Sequence, residues 1–411
     1  MTQKNSGPAP DRGETDVAKL PKLRNILIVV DEYTGGIRDH IRSEIEFLTQ
    51  NGARVHLFTD RPLIIGEDDG FSSINVLKPS LQGQPWTVSL RGLQQIQSVA
   101  RAHQIDLIHS HAYSLLPLAA LCSKAAQIRI INTFHGPDIF FFLDSNSLGR
   151  AFRRQAESIG TLISVSHELK HKLEKRSQKF EIQTVYNPVK IRSKTPMATG
   201  KANKWLWAGR LSKDKLPGLR ELILMLKPHK QITLDVYGMG SGEDELRTLL
   251  ESQLGKRGHF LGWKDDVELV FQSYDVISGM GRVIIDGMLS NRLVFLVGYE
   301  HPKCFITREN IDACMFANFS GRGLPGIAKS DFQRDLQSLA SMPSQLELSN
   351  EIALHVSDRD VWSKVFGVMG ESRPATGSAL WELAEWSQVS VYFSRLKSFL
   401  ARQFGTSAKK Q

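Results

Sequence analysis

Cysteine is scarce in this sequence of 411 residues, where it occurs only as Cys122, Cys304 and Cys314. An odd number of widely spaced cysteines does not make a disulfide framework, and it indicates a reducing compartment. His301 lies near Cys304 and Cys314, but there is no fourth ligand nearby and no closely spaced cysteine pair. We therefore expect no metal ion to be bound there.

Long apolar segments are also missing. A membrane-spanning helix needs about 20 apolar residues, and Asp, Lys or Arg interrupts every long apolar run of this chain. Residues 1–22 combine proline, glycine and charge, so we expect a disordered tail and no signal peptide. These absences predict a cytoplasmic protein and leave open a peripheral contact with the inner face of the membrane.

The composition is that of a globular protein with several domains, because 41% of the residues are hydrophobic and 23% are charged. Lys and Arg number 52 against 43 Asp and Glu, which gives a net charge of +9. This charge favours an anionic partner, such as a phosphorylated small molecule or an acidic membrane surface. No nucleic-acid-binding signature accompanies it, so we expect no nucleic acid partner.

Apolar runs rich in β-branched residues alternate with segments of helical spacing. The first series spans residues 23–189, and a second series begins at residue 204 after the polar stretch 190–203, which we interpret as a linker. This alternation predicts an α/β protein with two Rossmann-like, doubly wound domains facing a cleft. Ligands of such sheets bind beyond the carboxyl ends of the strands, so the turns there are the candidate sites.

In the first domain, Gly35 and Gly36 separate the first strand from its helix, and His135 follows a later strand. Glycines at a helix start let a ligand approach free backbone amides. A plain strand-to-helix turn and a structural histidine remain alternatives for these residues.

The second domain has two cations after its first strand, Arg210 and Lys215, which follow Gly209. A bidentate guanidinium and a mobile ammonium suit a diphosphate, although two solvated surface cations would give the same pattern.

Later turns of the second domain carry Gly238 and the pair Gly279 and Gly281, each just before a helix. Neither turn has the full dinucleotide-binding spacing. Asp286 follows in the next helix, where its carboxylate could hold a ribose diol or pair with Arg282 four residues earlier.

Nine segments follow one another in an order that resembles a known family: DEYTGGIRDHI, DLIHSHAY, NTFHGPD, ISVSHELK, VYNPV, WAGRLSKDK, VYGMGSGEDEL, FLGWKDDVELVFQSYDV and GMGRVIIDGM. They resemble the group 1 glycosyltransferases, the retaining family 4 of the GT-B fold, over about residues 24–298. The resemblance implies an acceptor domain at 23–189 and a nucleotide-sugar domain at 204–375. It also implies a helix within 376–411 that crosses back to the first domain.

The resemblance further implies roles for the candidate residues. His135 would lie by the transferred sugar, Arg210 and Lys215 would bind the diphosphate, and Asp286 would hold the ribose in place of a glutamate. Ser278 occupies the position of a second family glutamate, one that lies by the sugar. The polar stretch 307–322 could take over the task of that glutamate, with a plain surface loop as the alternative. The implied donor-site positions also include Gly35, Gly36, Gly209, Gly238, Gly279 and Gly281.

The sequence thus predicts an enzyme that transfers a hexosyl group, with retention, from a nucleotide diphosphate sugar to a hydroxyl of a glycan, a lipid-linked acceptor or a small molecule, as in polysaccharide biosynthesis. No metal or other cofactor is expected. Two alternatives stay open: a non-catalytic nucleotide- or glycan-binding protein, suggested by Ser278, and an NAD-dependent oxidoreductase, suggested by the glycine-rich turns. Phenylalanines 140–142 beside basic residues also suggest a membrane contact, with a buried phenylalanine cluster as the alternative.

Overall fold

The computed structural model describes residues 23–31, 33, 35–60, 69–78, 90–136, 139–144, 147–191, 202–339 and 345–377. Thirteen strands within these residues form two sheets. Among them, no helix combines the length and the apolar character needed to cross a membrane.

The first sheet has seven parallel strands: β1 (Asn25–Val30), β2 (Arg54–Thr59), β3 (Ser73–Val76), β4 (Leu107–Ser110), β5 (Arg129–Phe134), β6 (Leu162–Ser164) and β7 (Ile182–Thr184). Their spatial order is β3-β2-β1-β4-β5-β6-β7. All six residues of β1 are buried. Leu27 and Val29 face one core, and Ile26, Ile28 and Val30 face the other, because side chains alternate along a strand.

The helices of this domain are α1 (Gly35–Gln50), α2 (Leu90–Ala102), α3 (Leu116–Ala126), α4 (Ile139–Asp144), α5 (Ser147–Ile159) and α6 (His167–Glu174). Helix α1 buries Ile41, Ile45 and Leu48 at the spacing of one helix face, while α2, α3 and α5 cover the opposite face of the sheet. Ser166 caps α6 by accepting a hydrogen bond from the Leu169 amide at 3.2 Å.

The second sheet has six strands: β8 (Lys204–Ala208), β9 (Thr233–Tyr237), β10 (Gly258–Gly262), β11 (Val276–Gly279), β12 (Leu293–Val297) and β13 (Pro302–Phe305). Their order is β10-β9-β8-β11-β12-β13, with β13 antiparallel to β12 and the other pairs parallel. It repeats the topology of the first sheet, so all carboxyl ends of the parallel strands lie at one edge.

The remaining helices are α7 (Leu216–Leu226), α8 (Glu243–Leu254), α9 (Arg282–Leu289), α10 (Ile311–Phe316), α11 (Lys329–Gln337), α12 (Gln345–Val356) and α13 (Asp358–Glu371). Residues of α7, α8 and α11 join the core on one face of the second sheet, and those of α9, α10 and α12 join the core on the other. The two predicted doubly wound domains are confirmed.

The chain crosses between the domains at two adjacent places. The Val189 amide donates to the Val356 carbonyl at 2.7 Å, and the Asp358 amide donates to the Val189 carbonyl at 3.2 Å. Helix α12 therefore belongs to the second domain, whereas α13 packs on the first, where Val361 and Trp362 are buried beside α1. The crossing back thus occurs at residue 357, within the range 204–375 that the sequence assigned to the second domain. The crossing helix expected within 376–411 lies outside the described residues, apart from 376 and 377.

Candidate active site

Arg210 and Lys215 lie at the carboxyl end of β8. Gly209 and Arg210 follow the strand directly, and Lys215 is the N-cap residue of α7. Burial lowers the pKa of Lys215 from its ordinary value, and the nearby charge of Arg210 lowers it further. Among the described residues, neither side chain forms an ion pair within 4 Å. Two cations are therefore held together at a helix start, which favours an anion there.

The turn after β9 packs directly on this loop. A Cβ at Gly238 would lie 2.4 Å from the Gly209 carbonyl oxygen, so only glycine allows this approach. The Leu211 amide donates to the Met239 carbonyl at 2.8 Å, and the Gly242 amide donates to the Leu211 carbonyl at 3.0 Å. These bonds join the turns after β8 and β9 into one rigid surface, so Gly209 and Gly238 lie together as part of the candidate donor site.

Ser278 does not reach this surface. It lies inside β11, is fully buried, and its hydroxyl donates to the Leu206 carbonyl at 2.8 Å. Strand β11 ends at Gly279 and α9 begins at Arg282, so two residues form the whole turn. The expected position of Ser278 beside a sugar therefore does not match its buried place between neighbouring strands.

Gly279 and Gly281 flank that turn. A Cβ at Gly279 would lie 2.8 Å from the Ala208 carbonyl oxygen, so this glycine packs against the end of β8. Gly281 has a φ of 64°, in the left-handed region, and its amide donates to the Phe319 carbonyl at 2.8 Å. The amide of Gly281 is thus already paired with the protein backbone.

Asp286 lies on α9, with 12% of its side chain exposed, and Arg282 donates to its carboxylate at 3.4 Å. The i, i+4 pairing considered from the sequence is therefore present in this structure. At 3.4 Å it is a long contact, which a hydroxyl-rich ligand could replace.

Gly35 and Gly36 begin α1, at the carboxyl end of β1. A Cβ at Gly36 would meet no atom within 4 Å, so this helix start is open. The structure therefore leaves room for a ligand beside Gly36 but shows no packing reason for glycine at this position.

His135 belongs to a cluster of histidines that the sequence did not reveal as a group. It follows β5, and its Nε2 lies 2.9 Å from Nδ1 of His111, which follows the neighbouring strand β4. His40, on α1, contacts His135 edge to face with ring centroids 4.7 Å apart. The three imidazoles meet because β4 and β5 are adjacent and α1 passes over their ends.

Glu44 on α1 contacts two histidines through its two carboxylate oxygens. One carboxylate oxygen lies 3.0 Å from Nε2 of His111, and the other lies 2.5 Å from Nδ1 of His109 in β4. Burial alone would raise the pKa of Glu44, but its interactions with His109 and His111 hold it below its usual value. The carboxylate is therefore ionised at neutral pH.

His40, His111 and His135 are uncharged at neutral pH. Burial lowers the pKa of His40 to about 3 and that of His111 to about 4, with smaller contributions from neighbouring imidazoles. Burial also lowers the pKa of His135 well below the ordinary value, and His40 adds to the effect. The structure thus presents uncharged imidazoles at the carboxyl edge of the first sheet.

The two domains touch through an ion pair. Arg322, in the second domain, donates to Glu168 on α6 of the first, from Nη2 at 2.7 Å and from Nε at 2.9 Å. Arg322 ends the polar stretch 307–322 that the sequence offered as a cover for the sugar. Part of that stretch therefore contacts the first domain.

The sequence gives part of the signal for the histidine cluster through the spacing of two residue pairs. His40 and Glu44 are four residues apart on one helix, and His111 follows β4 two residues after His109, which lies in the strand. What brings these pairs together with His135 is the order of the strands, which no local spacing reveals.

Comparisons with known proteins agree with this architecture. Residues 34–192 match the model of Glycosyltransferase Family 4, which is less than half of the chain. A search of curated protein sequences finds no match.

Solved structures resemble the chain over most of its length. A glycosyltransferase from Rickettsia africae ESF-5 has a TM-score of 0.63 at 16% identity and covers 85% of this chain and 99% of its own. The sucrose-phosphate synthase of Thermosynechococcus elongatus has a TM-score of 0.65 at 14% identity, covering 84% and 98%. Anabaena Alr3699/HepE, in complex with UDP and glucose, has a TM-score of 0.60 at 14% identity, covering 84% and 99%. The chain therefore has the GT-B fold, and residues 34–192 match the model of glycosyltransferase family 4.

Proposed function

We propose that this protein transfers a glycosyl group from a nucleotide diphosphate sugar to a hydroxyl acceptor, with retention at the anomeric carbon. The observation that carries the proposal is the pair Arg210 and Lys215 at the start of α7. Two like charges near a helix N-terminus repel each other and oppose the helix dipole. A bound diphosphate would relieve both effects.

The same pair would assist the reaction. When the bond between sugar and phosphate breaks, negative charge develops on the departing diphosphate, and fixed cations stabilise that charge without rearrangement. Arg210 can offer two parallel donors, and Lys215 can follow the moving phosphate oxygen. We propose that these two cations take the place of a metal ion at the diphosphate.

We propose that His135 positions the sugar and the acceptor hydroxyl. Its lowered pKa makes it a neutral partner for hydroxyl groups at physiological pH, and Nδ1 is the nitrogen available to them because Nε2 is paired with His111. The departing diphosphate would take up the acceptor proton, as expected for attack on the face from which the diphosphate leaves. Asp286 would exchange its long contact with Arg282 for the ribose diol.

The donor, the acceptor and a membrane contact are proposed from further observations. The Anabaena structure holds UDP and glucose, which favours a nucleotide diphosphate hexose as donor. We propose a glycan or lipid-linked acceptor and a peripheral membrane contact. The described Phe140 is half-buried and Arg176 lies over its ring at 4.1 Å, so it contributes little exposed apolar surface to such a contact.

Calorimetry with UDP, GDP, uridine and NAD tests the donor site. We expect Lys215→Ala to weaken binding of the diphosphates about ten- to hundredfold, since a charge-assisted hydrogen bond contributes about 1.5–3 kcal/mol. Uridine binding should change little. The exposed Lys213→Ala is the matched control, with the same charge removed two residues away. Equal affinities of the parent and Lys215→Ala for both diphosphates would contradict the assignment, and tight NAD binding alone would favour an oxidoreductase.

Transfer and hydrolysis assays with a panel of nucleotide sugars test the reaction itself. A second candidate, a non-catalytic nucleotide-binding protein, is favoured by the burial of Ser278, which leaves no side chain at that position for the sugar. Normal diphosphate binding without transfer or hydrolysis of any donor would establish this second function. Product released with the anomeric configuration of the donor would support retention.

A further inference from the structure

We propose that His40, His111 and His135 form a binding site for a transition-metal ion, Zn²⁺ in the first place. Their side-chain ligand atoms lie within 4.8 Å of one another. Imidazole nitrogens are common ligands of zinc, and three of them with one open position form a familiar coordination set. The inference does not depend on the proposed transfer reaction.

The hydrogen bonds of two of these rings decide which nitrogen faces the site. Nε2 of His111 lies 3.0 Å from a carboxylate oxygen of Glu44, which accepts hydrogen bonds, so this nitrogen carries the proton and Nδ1 presents a lone pair. Nδ1 of His40 lies 3.2 Å from the side-chain oxygen of Asn187, so it also carries the proton. Nε2 of His40 then presents its lone pair inward.

One of these lone pairs has no partner within the protein. Nε2 of His40 is buried and makes no hydrogen bond with the described residues. If His135 donates from Nε2 to His111, only one of the two lone pairs is satisfied. Leaving a buried acceptor without a partner is unfavourable, and a cation among the three nitrogens would satisfy all of them at once.

The dimensions suit zinc. At a Zn–N distance of about 2.0–2.1 Å, tetrahedral geometry places ligand nitrogens about 3.3 Å and ring centroids about 5.2 Å apart. The three centroid separations are 4.7, 5.4 and 5.1 Å. The 2.9 Å contact between His111 and His135 has to lengthen by a few tenths of an ångström, and half-buried His135 lies at the open side, where this movement is easiest.

The surroundings supply the remaining requirements. Metal-bound histidines donate their other N–H to a carboxylate or carbonyl, as His111 does to Glu44 and His40 to Asn187. Trp362 covers His40 with ring centroids 5.0 Å apart, which shields one side of the site from water. The metal would take Nε2 of His135 and leave Nδ1 for the role proposed above.

Metal binding can be measured without any sugar nucleotide, so its outcome is separate from that of the transfer assay. The metal-free protein is titrated with Zn²⁺ against a chromophoric chelator and, separately, with Co²⁺ by visible absorption. We expect one equivalent of Zn²⁺ and the strong absorption of four-coordinate Co²⁺. No stoichiometric Zn²⁺ binding, or only the weak absorption of six-coordinate Co²⁺, would overturn the proposal.

Variants locate the site. His135→Gln should lower the Zn²⁺ affinity at least about 100-fold, and Glu44→Gln, which removes a positioning residue, about 10- to 100-fold. His103→Ala is the matched control, because His103 stacks on His56 with centroids 4.2 Å apart, away from the cluster. If His103→Ala abolishes binding, or His135→Gln retains it, the metal is bound elsewhere. If Glu44→Gln does not fold, the Co²⁺ spectrum of the parent and the Zn²⁺ affinity of His135→Gln still test the metal site, because His135 is only half-buried.

Discussion

Ser278 provides a sharp test of the donor site because its expected and observed positions predict opposite results. Its side chain is fully buried in β11, between Trp207 of β8 and Phe295 of β12, and makes one hydrogen bond to the Leu206 carbonyl. Ser278→Ala removes that bond, which should lower the free energy of unfolding by about 1 kcal/mol. This corresponds to a decrease of about 2–4 °C in Tm for a domain of this size.

A glutamate at the same position should be far more harmful. Ser278→Glu adds three heavy atoms at a fully buried position, and this overpacking should lower the free energy of unfolding by about 1–3 kcal/mol. Burying its carboxylate adds several kcal/mol more, of a total stability of about 5–15 kcal/mol. We therefore expect little folded protein and no gain in activity, even though the substitution restores the residue that the family resemblance calls for.

The assay combines urea unfolding with calorimetric UDP binding and sugar transfer. Ser278→Ala should bind UDP and process donors like the parent. Ser252→Ala is the matched control, since its hydroxyl also donates to a backbone carbonyl but is exposed on α8. A tenfold loss of donor affinity by Ser278→Ala with its fold intact would contradict the buried position of this residue. Normal folding and faster sugar transfer by Ser278→Glu would contradict it as well.

Four further substitutions test other parts of the structure. Gly238→Ala should weaken UDP binding, measured by calorimetry, because its methyl group would displace the Gly209 loop. Gly36→Ala is its control and should fold with the Tm of the parent, because a Cβ there meets no atom within 4 Å. Normal UDP binding by Gly238→Ala would be contrary to expectation. Arg322→Ala should destabilise the protein by about 1 kcal/mol at pH 7, a modest figure because solvent screens the pair. Burial by itself would raise the pKa of Glu168, but Arg322 and Lys172 outweigh it and lower that pKa from 4.5. The stability difference between the parent and Arg322→Ala should therefore persist above pH 4.5 and disappear as the pH falls below it. A difference in urea unfolding that does not change with pH would contradict the pairing. Trp362→Ala should cost about 3–5 kcal/mol, and hydrogen exchange should detect the loss in the strands of the first sheet; protection lost only in the second sheet would be inconsistent with the packing of α13.

The sequence predicted the regular parts of the fold because local patterns determine them. The alternation of apolar runs and helical spacing predicted the two series of strands and helices that form the two sheets. Strand β3 has four residues and none of them is buried, and β13 begins with a proline, so neither has the pattern of a buried strand.

The candidate site was predictable only in part. The glycines and cations that follow directly after strands could be read from the sequence, because a strand end determines their place. Ser278 could not, since a serine at the end of an apolar run fits either the last position of a strand or the first of a loop. The histidine cluster depends on strand order and on the path of α1, which are properties of the tertiary structure.

The double crossing near Val189 and Ser357 has a consequence for how the molecule can be divided. Because α13 returns to the first sheet, the second domain is an insertion within the first, entered and left at hydrogen-bonded neighbouring residues. A fragment that ends at residue 191 would keep all seven strands but expose the apolar surface that Val361 and Trp362 cover. Joining residue 190 directly to residue 357 should instead give a continuous chain for the first domain, because these ends already lie side by side.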